Sequence, residues 1–260
     1  MLAAARRVTN LRPFGALLAT FVAGCAAAGE VDIEAFVDNS KGDGHAIKLH
    51  LDDDFKVEVA EPSDLAILDG DLYTVSDRHS KVYRISTKDG DVKDELNVEG
   101  TDIEAIAFDA DGTLFYADES SGKIWRTNTD GERKGDPIEL VDDHNSGIEG
   151  LAFDEDGHLW VAKEKDPARI FELDSDGGEL DDEKVDFADD LSALAIDPET
   201  GKLYALSDQD RTLFLLDHKL EVDKAWKLPI EHPEGIAFDG DTLYVVSDSE
   251  ERLYVFEIER

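Results

Sequence analysis

The stretch EGIAFDGDTLYVVSDSEERLYVFEI, Glu234–Ile258, decides the fold. Three apolar alternations run through it, and short Asp- and Gly-containing turns separate them. Alternation at period two, bounded by such residues, predicts strands joined by tight hairpins. The same pattern recurs upstream. Its first strand aligns as PSDLAI (62–67), DIEAIAF (102–108), GIEGLAF (147–153), DLSALAI (190–196) and HPEGIAF (232–238). The shared alanines, Ala66, Ala107, Ala152, Ala195 and Ala237, lie 41, 45, 43 and 42 residues apart. A second strand follows each turn: LYTVSD (72–77), LFYADE (114–119), LWVAKE (159–164), LYALSD (203–208) and LYVVSD (243–248). A third carries Tyr, Trp or Phe in every copy, and a variable fourth precedes the next repeat.

Four strands in about 42 residues is the signature of a β-propeller blade. Small residues in the first strand suit the crowded axis, and aromatics further out fill the widening wedges. The chain is therefore expected to be all-β, a five-bladed propeller of four-stranded blades over residues 51–260. The fifth repeat ends without an outermost strand, and FKVEVAE (55–61) has no earlier partner. That segment is expected to complete blade five and close the ring, which leaves no open sheet edge at the seam. The alternative is six blades, with residues 31–51 as a degenerate sixth.

The chain has 260 residues, 63 acids against 26 Lys and Arg, a net charge of −37 and one cysteine. So acidic a surface repels nucleic acid and anionic membranes. A single cysteine excludes a disulfide scaffold. The only acid-free region is the N-terminus. Arg6, Arg7 and Arg12 flank the apolar run FGALLATFVAG, which ends in Val22-Ala23-Gly24-Cys25. This resembles a bacterial lipobox: residues 1–24 read as a signal peptide, Cys25 as the lipidated residue and 25–50 as a tether. Cleavage there removes three arginines and no acids, taking the net charge to −40. The partner implied is a membrane, held through acyl chains, with no nucleic acid. The location implied is the cell envelope, on the periplasmic side of the outer membrane in a diderm host.

Two aligned columns meet on one face of the ring, because strand one starts where strand two ends. The first reads Ser63, Glu104, Glu149, Ser192, Glu234, and the second Asp77, Glu119, Glu164, Asp208, Asp248. Asp118 falls roughly opposite Glu104. Glutamates in an Ala-rich inner strand run against strand propensity. Gathered round a narrow axis they repel one another unless a cation intervenes. Calcium, which takes 6–8 oxygen ligands in flexible geometry, is the cofactor this predicts. Its expected ligands are Glu104, Glu149 and Glu234, with Asp118, Asp77, Asp208 and Asp248. The inner glutamates are expected to converge and the outer acids to diverge. The DADG (109–112) and DEDG (154–157) turns lack full calcium-loop spacing and read as hairpin turns on the opposite face.

The repeat, the lipobox and the acidic columns together resemble the SdiA-regulated (YjiK-like) family of bacterial propeller lipoproteins, distantly NHL-repeat-like. The resemblance covers about residues 50–260, and Ser192 and Lys163 depart from its pattern. It implies a five-bladed propeller with bound calcium and no established catalysis. The function expected is a monomeric, calcium-binding envelope lipoprotein that presents an acidic, metal-occupied face to a small-molecule or protein ligand. The alternative is a calcium-dependent hydrolase of lactonase or phosphoesterase type. His79, His144 and His232 are then the candidate general bases. Whether the chain is an enzyme stays open, with binding favoured.

Overall fold

A computed structural model describes residues 31–39, 48–128, 130–140 and 147–260. Cys25, the signal segment, the start of the tether and His144 lie outside the described residues. Five antiparallel sheets follow the five repeats. Blade one is Pro62–Leu68, Asp71–Ser76, Lys81–Ile85 and Val92–Leu96. Blade two is Ile103–Phe108, Leu114–Asp118, Lys123–Thr127 and the short Ile138–Glu139. Blade three runs from Ile148–Phe153 through Leu159–Lys163 and Arg169–Leu173 to Glu179–Lys184. Blade four begins at Ala193–Asp197 and blade five at Pro233–Asp239. Each first strand contacts the first strand of both neighbouring blades, so the five innermost strands form a closed ring. The fold is a five-bladed propeller.

The tight turns follow from their residues. At Asp69-Gly70 both residues have positive φ (54° and 78°). That is the twist a two-residue hairpin needs, and it is favourable for Asp-Gly. In the turns DADG and DEDG, Oδ1 of Asp109 and of Asp154 each accepts two backbone N–H groups. Both are hairpin turns, as their residues suggest.

The seam closes as expected, but in a different register. Lys48–Lys56, not 55–61, pairs with Arg252–Glu259, from Lys48 opposite Glu259 to Lys56 opposite Arg252. The alternation in FKVEVAE has another cause. Val57 and Val59 are buried with Leu65, Leu72, Val246 and Leu253, filling the wedge between blades five and one. The described residues of 31–51 make no sixth blade. Val31–Glu34 pairs with Lys48–Leu51 at the edge of blade five. Val37–Asp38 then pairs with Lys224–Ala225 of blade four. The stretch read as tether thus lies, in its described part, across the outer edges of both blades. Ile33 packs there in one apolar cluster with Leu49, Trp226 and Ile258.

Candidate metal centre

The inner strands carry a repeated irregularity. A β-bulge falls between Ile103 and Ala105, between Ile148 and Gly150, and between Pro233 and Gly235. The unpaired residue in each case is Glu104, Glu149 or Glu234. A bulge turns the side chain of its extra residue out of the regular alternation. Here all three glutamates line one chamber at the axis, of about 330 Å³. The backbones touch at this level. A Cβ on Gly150 would lie 2.6 Å from Leu194 N, and one on Gly235 2.6 Å from Asp64 Cα. Below the glutamates, Leu65, Ile106, Leu151, Leu194 and Ile236 are buried and line the axis toward a second, apolar cavity.

Ten carboxylates and one ammonium, that of Lys165, line the chamber among the described residues. Asp77, Asp208 and Asp248 are there, as the second column implies. Ligand-type atoms gather into three groups, each within 4.8 Å: Asp77/Asp102/Glu104, Glu119/Glu149/Glu164 and Asp208/His232/Glu234. The inner glutamates therefore belong to three adjacent groups and do not meet at one point. Glu119 and Glu164 do not diverge; they fold toward Glu149. Gly147 makes room for this: its N–H donates to Glu119 Oε1 at 3.1 Å, and a Cβ there would overlap the Glu119 side chain.

Asp118 stands apart. It pairs opposite Ile103, is buried, accepts a 2.7 Å bond from Ser120 Oγ, and does not line the chamber. The reason is its column. Its counterparts Ser76 and Ser247 donate to backbone carbonyls of Ala60 and Glu231, each at 2.5 Å. Lys163 likewise donates to the carbonyls of Lys165 and Pro167. The serines of this column tie strand two to the segment before strand one, Asp118 and Lys163 bond to the loop after strand two, and the next residue faces the axis.

A third column went unread in the sequence. Glu61, Asp102, Gly147, Asp190 and His232 stand two residues before the first column, and Glu61 and Asp190 line the chamber. They stand just before strand one, so the repeat alignment already held that signal. Asp64 is also new. It is fully buried, where the other blades have Ala or Gly, and its oxygens accept N–H groups of Leu65 and Ile106 at 2.8 Å each. His232 Nδ1 lies 3.1 Å from Asp208 Oδ1 on the exposed rim. His79 is exposed and does not line the chamber.

The electrostatics follow from burial among like charges. Burial, then the charges of Glu149 and Asp77, push the Glu104 carboxyl up to about 10. Glu234 rises to about 8, by burial and then by Asp208 and Asp248. Glu149 is raised well above its ordinary value by burial, then by Glu119 and Glu164. From within the chamber Lys165, bonded to Glu164, offsets this at Glu149, and the Ser63 hydroxyl does so at Glu104. Apart from His232 at the rim, the donors of the three groups are carboxylate oxygens, which fits a hard divalent cation of calcium's coordination number and flexibility.

The SdiA-regulated family profile matches residues 66–257. The chain belongs to the SdiA-regulated family. Among curated proteins, none matches this SdiA-regulated chain. Solved structures share its fold. Glutaminyl cyclase from Myxococcus xanthus superposes with a TM-score of 0.64 at 12% identity, over 81% of this chain and 96% of that one. A gluconolactonase from Xanthomonas campestris gives 0.55 at 12% identity, over 90% and 99%. Virginiamycin B lyase from Staphylococcus aureus gives 0.51 at 15% identity, over 81% and 73%. At such identities the likeness is one of architecture.

Proposed function

We propose that this propeller binds calcium in its axial chamber and presents the cation-occupied face to a small-molecule or protein ligand. One observation carries the reading: three bulges aim glutamates into a chamber of ten carboxylates against one lysine. Two or more hard cations in that space would convert mutual repulsion into shared coordination, and Glu149, flanked by Glu119 and Glu164, would hold the central one. The lipobox ending at Cys25 supports a lipid-anchored protein of the cell envelope, on the periplasmic side of the outer membrane in a diderm host. The test is calorimetric titration of the soluble domain with calcium after chelation. Saturable binding that weakens in Glu149→Gln supports the reading; no calcium heat in the wild type overturns it.

A second reading, a calcium-dependent hydrolase, is favoured by one contact, His232 beside Asp208 on the rim. Asp208 would orient the imidazole, and His232 would take a proton from the attacking water. Calcium, when bound, would polarise a carbonyl or phosphoryl oxygen. A lactone and phosphoester screen with and without chelator tests this. Calcium-dependent turnover lost in His232→Ala supports it, and no turnover on any substrate class refutes it.

A further inference from the structure

The opposite face of blade three gathers a different set of side chains. Ligand-type atoms of Asp154, His158 and Glu172 lie within 4.8 Å of one another. His158 Nδ1 is 2.7 Å from Glu172 Oε1 and 3.8 Å from Asp154 Oδ2. We propose that these three residues form a second metal site, for a first-row divalent transition ion such as zinc.

The distances fit. Nitrogen and oxygen ligands about 2.1 Å from a tetrahedral ion stand about 3.4 Å from each other. The two separations bracket that value. The side chains are also held. Asp154 Oδ1 accepts N–H groups of Asp156 and His158, and its Oδ2 accepts the Trp160 indole N–H at 3.0 Å. Outer donors of this kind fix the orientation of metal ligands. Glu172 sits on strand Arg169–Leu173, directly opposite Trp160. The His158 and Glu172 side chains are 34% and 24% exposed, so the site is open to solvent.

The repeat supplies an independent comparison. The residue opposite the strand-two aromatic is Arg84 in blade one and Arg126 in blade two. Arg84 pairs at 2.8 Å with Asp71, which stands where His158 stands in blade three. Blade one thus carries a guanidinium held against Asp71. Blade three replaces it with a carboxylate and sets an imidazole between two acids. A guanidinium cannot ligate a metal, whereas an imidazole with carboxylates suits zinc and its neighbours.

The experiment is a zinc titration of the chelated and then calcium-saturated domain, followed by cobalt substitution. One zinc equivalent per chain is expected, with a visible cobalt spectrum. His158→Ala and Glu172→Gln should each lower zinc affinity at least tenfold, while Glu149→Gln leaves it unchanged. Glu172→Arg with His158→Asp restores the blade-one arrangement; it should abolish zinc binding without lowering the thermal midpoint, which separates loss of the ligands from loss of the fold. Wild-type zinc affinity in His158→Ala, or zinc lost in Glu149→Gln instead, would overturn the site, as would no zinc binding at all.

Discussion

Raising the pH in the presence of chelator should destabilise this protein across a range where most carboxyl groups are already ionised. The Glu234 carboxyl is pushed from an ordinary 4.5 up to about 8. A carboxyl raised on folding favours the folded state below its unfolded value, and that contribution is lost as pH rises through the folded value. For Glu234 the window is about pH 4.5 to 8. Each pH unit between those two values is worth about 1.4 kcal/mol, so this single group accounts for on the order of 5 kcal/mol. In a domain of this size 1 kcal/mol moves the thermal midpoint by about 2–4 °C, so the expected fall is about 10–20 °C. Glu104, raised to about 10, extends the decline further. Calcium binds the ionised form, so saturating calcium should remove most of the fall. The assay is calorimetric melting from about pH 4 to 8.5, spanning that window, with chelator and with calcium, on wild type and Glu234→Gln. The variant cannot titrate at this position and should show a flatter profile. A wild-type midpoint constant over that range, or a fall of equal size in Glu234→Gln, would refute this account of the chamber.

Other outcomes follow from the same geometry. Glu119→Gln and Glu164→Gln should each weaken calcium binding as much as Glu149→Gln, because the three share one group. Asp118→Asn should leave it unchanged, and calorimetry on the four variants decides. Gly150→Ala places a methyl 2.6 Å from the Leu194 backbone nitrogen. Overpacking of this kind costs about 1–3 kcal/mol, read as a lower denaturation midpoint. At a net charge of −37, added salt should raise the thermal midpoint at saturating calcium, since exposed charges are screened over about 8–10 Å at 0.1–0.15 M. A midpoint that falls steadily with salt would contradict this.

The blades were legible because each repeat is its own evidence: an apolar-Ala strand, an Asp/Gly turn and an aromatic strand, five times over. The chamber was legible in part. Alignment put Glu104, Glu149 and Glu234 on inner strands, but alternation alone gives the wrong facing for Asp118. The bulges decide which way a side chain points, and they depend on pairing between strands that no single segment encodes. The inward turn of Glu119 depends on the absence of a side chain at Gly147, on another blade. The closing strand lies earlier than the alternation suggests, because Val57 and Val59 alternate like a strand while serving as wedge filler. His158 and Glu172 meet only through the hairpin register, so their juxtaposition had no signal along the chain.

The seam has a consequence for how the molecule is made. Lys48–Lys56 is among the first parts of the domain to be synthesised, yet its partner, Arg252–Glu259, is the last. Blades one to three can each form from contiguous chain, with contacts close in sequence. Blade five cannot, because joining its strands means closing a loop of about two hundred residues, and long-range pairing of this kind is slow. Until it closes, Arg252–Glu259 presents an unpaired edge of alternating Leu, Tyr, Val, Phe and Ile, a template for another chain. Assembly of this propeller is thus a race between ring closure and association, and the acidic DDD run (52–54) inside the closing strand opposes like-with-like pairing while that strand waits.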